Sequence, residues 1–511
     1  MSVLLAVEKL LQYALSRKLI EDFDVVLMRN RIYSLMRIAP GEVDESVFIS
    51  TDGRGEFERL SVILSALTDD YAARGFLPDD TSATRDLFET RIMGELTPRP
   101  SEVNRIFWDN FNPSPEKATD YFYSLCRASN YIQTERVAKD LYWKTTTEYG
   151  ELEITVNLSK PEKDPRDIER ARSFPSSSYP KCLLCLENVG FEGSAAWPAR
   201  QNLRAIKFSL CGEPWYFQYS PYVYYNEHCI VLGEKHEPIV INEKTFARLA
   251  EFVRMFPHYF IGSNADLPIV GGSILSHDHF QGGRHAFPIE NAEAFKTYKH
   301  ENYPGVSVSL VKWPLSVIRL SAGSESESKL IEFATNVSER WRGYDDEEAE
   351  IYSKTRGTPH NAVTPIARYN RCGALEMDLV LRNNRTSEEH PLGIFHPHAE
   401  RHHIKKENIG LIEVMGLAVL PGRLYGDLET AKRFLSGEIS KIPERLSVHS
   451  DWLKRLASKY GNKNENADEI LKNEVGFVFA DVLRDCGVFK DDVRGRGRFA
   501  IFMESIGCSN T

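Results

Sequence analysis

The stretch from 269 to 289, which reads IVGGSILSHDHFQGGRHAFPI, places three polar side chains at alternate positions. They are His277, His279 and Gln281. Successive side chains of a β-strand point to opposite faces of the sheet, so residues two apart share a face. The spacing therefore predicts a strand that presents two imidazoles and one amide to the same site, within a fold that must contain a β-sheet.

The residue types in this stretch suit phosphoryl chemistry. Gly271 and Gly272 let the backbone approach an anionic group closely, and Ser273 adds a hydroxyl. A neutral imidazole can attack phosphorus without first losing a proton, and an amide can donate to phosphoryl oxygens without becoming charged. A strand with ordinary polar residues is the alternative for an isolated His-x-His, but the glycine pair before it and Gln281 after it favour an active site.

The pattern of the chain changes from helical to strand-like near residue 141. Apolar residues at helical spacing, with prolines between the segments, predict helices at 3–19, 21–36, 56–71, 83–96 and 115–128. Residues rich in Thr, Tyr, Val and Ile on both sides of Gly150 predict a β-hairpin. The same criteria then predict helices at 329–342, 431–435 and 450–460 and strands at 306–313, 316–320, 362–369, 374–381 and 498–502. We therefore expect an α+β fold with mostly antiparallel sheets behind a helical N-terminal region.

Composition and charge exclude several classes of protein. The formal net charge of −10 argues against a dedicated binder of nucleic acid or of anionic membranes. No apolar run approaches the roughly 20 residues that cross a bilayer. The N-terminal segment carries Glu8, Lys9 and Gln12 among its apolar residues, which predicts an amphipathic helix and not a signal peptide. The eight cysteines are scattered apart from one close pair, as in cytosolic proteins, so we expect a cytoplasmic location.

The close pair, Cys182 and Cys185, has the spacing at which two thiolates bind one metal ion from a tight turn. Two buried free thiols are the alternative, and a redox pair is disfavoured because no strong βαβ pattern surrounds the cysteines. His236 and His277 lie downstream, and this supply of further imidazole groups favours the metal site.

The His-x-His-x-Gln spacing resembles the histidine-triad superfamily, and most of residues 141–511 resemble its hexose-1-phosphate uridylyltransferase branch. The helical N-terminal region fits the less common bacterial-type form of that branch. Hydrolases of this superfamily carry a third His where this chain has Gln281. An amide cannot act as a general base for water, so a nucleotidyl–imidazole intermediate would survive until the second sugar phosphate arrives. Asp278 stands where many of these transferases have Pro, and we expect its side chain on the opposite face of the strand.

The resemblance implies a reaction, a metal and an assembly. His279 would attack UDP-glucose and release glucose 1-phosphate, and galactose 1-phosphate would then take UMP from uridylyl-His279. A structural zinc ion would be bound by Cys182, Cys185, His236 and His277, with no organic cofactor. A homodimer is also expected.

Several further residues are candidates for binding the substrates. Arg200 and Arg204 could neutralise a diphosphate because guanidinium groups match phosphate oxygens, although arginines near a surface turn are an equally good interpretation. The resemblance places Asn264 before the glycine loop, where its amide could orient the nucleophile or hold a phosphate. In the C-terminal part of the chain, the resemblance points to hexose or phosphate contacts from Lys405, Lys406, Asn408 and Glu413.

Residues 396–400, His-Pro-His-Ala-Glu, echo residues 277–281, His-Asp-His-Phe-Gln. We interpret this as a degenerate internal repeat, in agreement with the two α+β lobes that the resemblance implies. The predicted division is a helical region at 1–140, a catalytic lobe at 141–300 and a degenerate lobe at 301–511. His396, His398, His402 and His403 could bind a second metal ion or line a polar sugar pocket.

Two other functions stay open at this point. A phosphorylase or hydrolase of the same superfamily, acting on dinucleotides or nucleotide sugars, would use the same histidine with phosphate or water as the acceptor. A non-catalytic zinc protein that binds sugar nucleotides would keep the cysteines but need no nucleophile, and the intact His-x-His-x-Gln motif argues against it.

Overall fold

The computed structural model describes residues 1–39, 58–158, 179–194, 196–272, 274–461 and 464–510. These residues belong to two compact units. The first, here called the helical unit, comprises Met1–Ala138, Pro161–Phe208 and Pro214–Val223. The second, the sheet unit, comprises Lys139–Lys160, Ser209–Glu213 and Tyr224–Thr511.

The helical unit consists largely of α-helices whose ends follow local sequence signals. They are α1 (Val3–Ser16), α2 (Val25–Met36), α3 (Leu60–Ala73), α4 (Ser82–Leu96), α5 (Pro100–Phe111), α6 (Pro115–Ala128) and α7 (Thr134–Val137). Helix α6 begins where the Ser114 side chain accepts a hydrogen bond from the Glu116 N–H and Pro115 occupies the first turn. The predicted helices in the described residues are confirmed, but α5 was missed because Pro98 and Pro100 were interpreted as helix breakers. Pro100 stands at the start of α5, where its missing N–H costs nothing.

The sheet unit is built on antiparallel strands. The strands in the described residues of both units are β1 (Leu141–Thr147), β2 (Gly150–Asn157), β3 (Ile206–Leu210), β4 (Glu213–Tyr219), β5 (Cys229–Gly233), β6 (Phe260–Gly262), β7 (His279–Gly283), β8 (Ala294–His300), β9 (Val306–Val311), β10 (Val317–Ala322), β11 (Lys354–Thr355), β12 (Thr358–Pro359), β13 (Asn361–Tyr369), β14 (Leu375–Asn383), β15 (Leu417–Pro421) and β16 (Cys508–Asn510). Within the sheet unit, neighbouring strands follow the order β16, β8, β9, β10, β14, β13, β6, β7, β5. Each of these pairs is antiparallel.

A smaller sheet and a set of helices complete this unit. The predicted hairpin of β1 and β2 is confirmed, and β15 joins it in parallel to β2. The helices are α8 (Glu243–Met255), α9 (Glu327–Arg342), α10 (Leu411–Val414), α11 (Arg423–Leu435), α12 (Ser450–Tyr460), α13 (Ala467–Cys486) and α14 (Val493–Ser505). The expected α+β class with antiparallel sheets is confirmed, while the division at residues 140 and 300 stays a prediction.

One predicted element is wrong. Residues 498–502 were expected to form a terminal strand, but they lie inside helix α14, and the terminal strand is β16. Phe499, Phe502 and Met503 are buried while Ile501 is exposed, which is the spacing of a helix face. A short apolar run does not distinguish a strand from a helix by itself, so only the packing of the folded chain shows which of these side chains are buried.

A buried cluster of charged side chains joins β10, β13 and β14, three central strands of the antiparallel sheet that runs from β16 to β5. Asp378 on β14 is fully buried and accepts hydrogen bonds from Arg319 on β10 at 2.7 and 2.9 Å and from Arg368 on β13 at 2.7 Å. Burial alone would raise the pKa of Asp378, but the charges of the two arginines hold it below its usual value. The cluster therefore keeps Asp378 charged in the interior.

No α-helix in the described part of the chain has the combined length and apolar content that a membrane span requires.

Candidate active site

Strand β7 carries the central motif between β5 and β6. Gln281 pairs with Ile230 on β5 and with Gly262 on β6, and His279 pairs with Leu232. The two side chains therefore leave the same face of β7, as the alternation predicted. His277 precedes the strand. Asp278 accepts a hydrogen bond from Arg248 of helix α8 at 3.3 Å.

The ring of His279 is held in one tautomer. Its Nδ1 lies 2.8 Å from the carbonyl oxygen of His277. A carbonyl oxygen can only accept, so Nδ1 carries the proton and donates, and the lone pair is on Nε2. Burial lowers the pKa of His279 to about 4, so the ring is neutral at neutral pH. A neutral imidazole with its lone pair on Nε2 is a nucleophile ready to attack an electrophilic phosphorus.

A residue that the sequence did not single out contacts Gln281. The Nε2 of His228 lies 3.3 Å from the Oε1 of Gln281. His228 is buried, and it directly precedes β5. A lone histidine beside tyrosines carries no local signal of function. Only the pairing of β5 with β7 brings it to the motif.

The glycines of the central stretch are required for close packing inside their own loop. A Cβ on Gly271 would lie 2.4 Å from the Ala265 carbonyl oxygen, and one on Gly272 would lie 2.5 Å from the Asn264 Nδ2. Ile269 in the same loop has φ of +72°, a conformation that costs a β-branched residue free energy and occurs mostly at functional sites. The predicted contribution of Ser273 falls outside the described residues.

Asn264 connects the glycine loop to the C-terminal segment in which sugar-phosphate contacts are expected. Its side-chain Oδ1 accepts a hydrogen bond of 2.9 Å from the backbone N–H of Leu411, the first residue of α10. Glu413 on that helix accepts bonds from the Gly410 N–H at 3.1 Å and from Lys405 Nζ at 2.9 Å. These candidates therefore form one continuous set of contacts within the sheet unit.

The two lysines of this segment differ in environment. Lys405 is buried, and besides Glu413 its ammonium group donates to the carbonyl oxygen of Val419 at 3.0 Å. Lys406 is exposed. Lys405 is therefore fixed by internal bonds, while Lys406 can reach a ligand from solvent.

The histidines of the degenerate repeat are engaged with nearby acceptors. Imidazole nitrogens of His398, His402 and His403 lie 3.0, 2.8 and 2.9 Å from backbone carbonyl oxygens, and His396 lies 3.1 Å from the Asn408 Oδ1. Within the described ranges, none of the four belongs to a cluster with the spacing of metal ligands. The second metal site therefore gains no support.

The two halves of the predicted zinc set each have the local geometry of metal ligands. In the helical unit, the sulfur atoms of Cys182 and Cys185 are 3.5 Å apart, and the Leu184 N–H donates to the Cys182 sulfur at 3.4 Å. In the sheet unit, the rings of His236 and His277 are 5.0 Å apart. The Nε2 of His277 donates to the Gly233 carbonyl oxygen at 2.8 Å, which places the lone pair on Nδ1. Cys182, Cys185, His236 and His277 are a group that could hold a metal ion, and two thiols with two imidazoles match the preference of zinc.

The two candidate arginines, Arg200 and Arg204, make backbone contacts within the helical unit. The buried guanidinium of Arg204 donates to the carbonyl oxygens of Thr97, Pro98, Gln201 and Leu203 at 2.6 to 3.0 Å. Burial lowers the pKa of Arg204 to about 10. Arg200 donates to the Ala199 carbonyl oxygen at 3.2 Å and lies over the ring of Tyr131. Contact of either arginine with a diphosphate stays a prediction.

Comparison with known proteins gives consistent results over the whole chain. Residues 38–238 match the family model for the N-terminal domain of galactose-1-phosphate uridyl transferase, and residues 251–465 match that for its C-terminal domain. A galactose-1-phosphate uridylyltransferase of Caldanaerobacter subterraneus is 52% identical, over 98% of this chain and 97% of that protein. The protein of the same name in Bacillus subtilis is 50% identical, over 99% and 98%.

Among solved structures, the crystal structure of yeast Ap4A phosphorylase Apa2 shares 8% sequence identity with this chain and has a TM-score of 0.38. It covers 75% of this chain and 97% of its own.

Proposed function

Because the chain belongs to the galactose-1-phosphate uridylyltransferase family, whose members are nucleotidyltransferases of galactose metabolism, we propose that it exchanges UMP between UDP-glucose and galactose 1-phosphate through a uridylyl-His279 intermediate. The observation that carries the proposal is the hydrogen bond of 2.8 Å from His279 Nδ1 to the carbonyl oxygen of His277. With the proton on Nδ1, the lone pair is on Nε2, which supports Nε2 as the attacking atom.

The reaction consists of two displacements at the same phosphorus. His279 Nε2 forms a bond to the α-phosphorus of UDP-glucose, and the bond to the departing oxygen breaks, releasing glucose 1-phosphate. A phosphate oxygen of galactose 1-phosphate then attacks, the nitrogen–phosphorus bond breaks, and UDP-galactose leaves. While the ring is uridylylated it is positively charged, and the Nδ1–H bond to a carbonyl oxygen stabilises that charge.

Gln281 donates to the phosphoryl oxygens in this scheme. Its amide leaves the same face of β7 as His279, two residues further on. Since charge develops on those oxygens in the transition state, a fixed donor there lowers the barrier. An amide is no base for water, so the intermediate is protected against hydrolysis.

The substrate contacts are assigned by segment. Gly271, Gly272 and Asn264 belong to the phosphate side of the site, and the exposed Lys406, with Lys405 and Glu413 behind it, belongs to the hexose-phosphate side. Arg200 and Arg204 stay candidates for the diphosphate. A homodimer and a cytoplasmic location belong to the same proposal.

Zinc is proposed as a structural ion bound by Cys182, Cys185, His236 and His277. With four protein ligands the ion has no open position, so it would stabilise the fold without taking part in the reaction. The test is elemental analysis of the purified protein. We expect about one zinc per chain, a strongly reduced content in Cys185→Ser, and a lower melting temperature after chelation. Wild-type protein that contains no zinc and melts at the same temperature with and without chelator would contradict the proposal.

The nucleophile is tested with UDP-glucose labelled in the uridine. Wild-type protein should retain the label after denaturation and lose it when galactose 1-phosphate is added first. His279→Ala should retain none, and His300→Ala serves as the control, since His300 lies on the distant strand β8 and bonds the Ile506 carbonyl oxygen. Labelling of His279→Ala would refute the assignment. Release of label by inorganic phosphate in place of galactose 1-phosphate would instead identify a phosphorylase.

A further inference from the structure

We propose that His228 is a positioning residue, which sets the orientation of the Gln281 amide so that the amide nitrogen faces the phosphoryl group. The inference rests on the proposed function, because it concerns the donor that Gln281 presents to the reacting phosphate. It adds to the site a residue outside the His-x-His-x-Gln motif.

The contact fixes which end of the amide faces the ring. His228 Nε2 and Gln281 Oε1 are 3.3 Å apart. An amide oxygen only accepts hydrogen bonds, so the ring donates from Nε2. The two ends of a primary amide have similar size, and without a partner an amide can turn over. With its oxygen held by His228, the NH2 group of Gln281 must point away from that ring.

The turn that carries His228 is anchored to the strand that carries Gln281. The Tyr225 hydroxyl donates to the Gly282 carbonyl oxygen at 3.1 Å, and Asn226 Nδ2 donates to the Arg284 carbonyl oxygen at 3.2 Å. Glu227, which has φ of +54°, accepts a hydrogen bond from the Tyr259 hydroxyl. A turn held at three successive residues leaves the following side chain little freedom.

The ring of His228 is also fixed by its neighbours. It is 3% exposed, and its centroid lies 4.6 Å from that of Tyr225 and 5.4 Å from that of Tyr224. Aromatic contacts at these separations restrict rotation of the imidazole about its side-chain bonds. The Nε2–H donor of His228 is therefore preorganised. A residue that positions a catalytic group must itself be fixed if the group is to be held within a fraction of an ångström.

The orientation matters because the two ends of the amide have opposite effects on the reaction. An N–H group facing the phosphoryl oxygens stabilises the negative charge that grows there, whereas the carbonyl oxygen would repel it. Loss of the His228 bond would let the wrong orientation become populated. We expect the rate of uridylyl transfer to His279 to fall by about tenfold or more, as for other residues that orient a ligand or catalytic group from behind.

The test compares His228→Gln, His228→Asn and His228→Ala in single-turnover labelling of His279. A glutamine places its amide nitrogen close to the position of Nε2, while an asparagine is too short, so the two polar variants differ in reach and not in chemistry. We expect His228→Gln to recover most of the wild-type rate and His228→Asn to be as slow as His228→Ala. Melting temperatures are measured in parallel, with His300→Ala as the control for loss of a packed histidine.

A double-mutant cycle separates positioning from general structural damage. In a Gln281→Ala background the ring has no amide to orient, so adding His228→Ala should cause little further loss of rate. Independent, multiplicative losses would overturn the inference, as would His228→Gln being as slow as His228→Asn. Absence of label on the wild-type protein would overturn the proposed function as well, whereas normal wild-type labelling with an undiminished His228→Ala rate would overturn this inference alone.

Discussion

Substitution of Gly272 by alanine should damage both the stability and the activity of the protein, through one identified overlap. A Cβ at this position would lie 2.5 Å from Asn264 Nδ2 and 2.8 Å from Asn264 Cγ, and such contacts are essentially never closer than 3.0 Å. The Asn264 amide would therefore have to move by at least 0.5 Å, the difference between 3.0 and 2.5 Å. Asn264 has little room, because it is 3% exposed and its Oδ1 holds the Leu411 N–H at 2.9 Å.

The size of both effects follows from that displacement. Overpacking of this kind costs about 1–3 kcal/mol of unfolding free energy, and breaking the bond to Leu411 would leave a buried N–H unpaired at a similar cost. A misplacement of about 1 Å can lower a rate by about 100-fold. Because we propose that Asn264 lies on the phosphate side of the site, we expect its shift to reduce labelling of His279 by about 10- to 100-fold.

Equilibrium denaturation and single-turnover labelling measure the two effects on the same preparation. Gly497→Ala is the matched control, since Gly497 lies exposed in helix α14 with no atom within 4 Å of its Cβ position. It should gain up to about 1 kcal/mol from helix propensity, with unchanged labelling. In an Asn264→Ala background the overlap is gone, so Gly272→Ala should cost little more. A full and additive loss of stability in the double variant would refute the steric explanation.

Two further predictions concern the buried charges. Asp378→Asn removes the buried carboxylate that Arg319 and Arg368 share and leaves Glu376 as the acid within 4 Å of both. We therefore expect a loss of about 3 kcal/mol in denaturant unfolding, the lower end of the range for breaking a buried ion pair. The pKa of Asp378 is lowered in the folded state, so its ionised carboxylate stabilises the fold above the unfolded pKa of about 3.9, and this stabilisation is lost as the pH falls below that value. The unfolding free energy of the variant should therefore fall less steeply with pH below about pH 4. An unchanged dependence of the unfolding free energy on pH would contradict the role of this carboxylate. Lys405→Met removes the buried partner of Glu413 and should lower stability, whereas the exposed Lys406→Met should leave stability unchanged and raise the KM for galactose 1-phosphate. Equal effects of the two lysine variants on the melting temperature would contradict this distinction.

The parts of the fold that the sequence predicted are those with a local physical signal. Helix α6 was predicted at its observed ends from apolar residues at helical spacing, and Pro115 suits its first turn because the ring fixes a helical φ. The β1–β2 hairpin was predicted because residues rich in Thr, Tyr, Val and Ile flank Gly150. In the structure Gly150 has φ of +96°, which glycine adopts without strain. Residues 498–502 of helix α14 were mistaken for a strand because the four apolar residues after Arg498 contain too little periodicity. Helix α5 was missed because both Pro98 and Pro100 were interpreted as helix breakers, although Pro100 stands in the first turn of the helix.

For the candidate site, the sequence by itself determined which side chains share a face. Alternation along a strand is a property of the backbone, so His279 and Gln281 were placed together without reference to any other segment. The residue types then restricted the chemistry, since an imidazole and an amide can form and protect a phosphoramidate but cannot readily hydrolyse it.

Only the tertiary structure decided how those groups are oriented. The bond between Asn264 and Leu411 joins residues 147 positions apart, and that between His228 and Gln281 joins residues 53 apart. Such contacts depend on which strands pair and in which register, and pairing is settled by the packing of the whole sheet, which no local pattern encodes. The sequence thus determined the reacting groups, and the fold determined the tautomer, the amide orientation and the loop geometry that make them reactive.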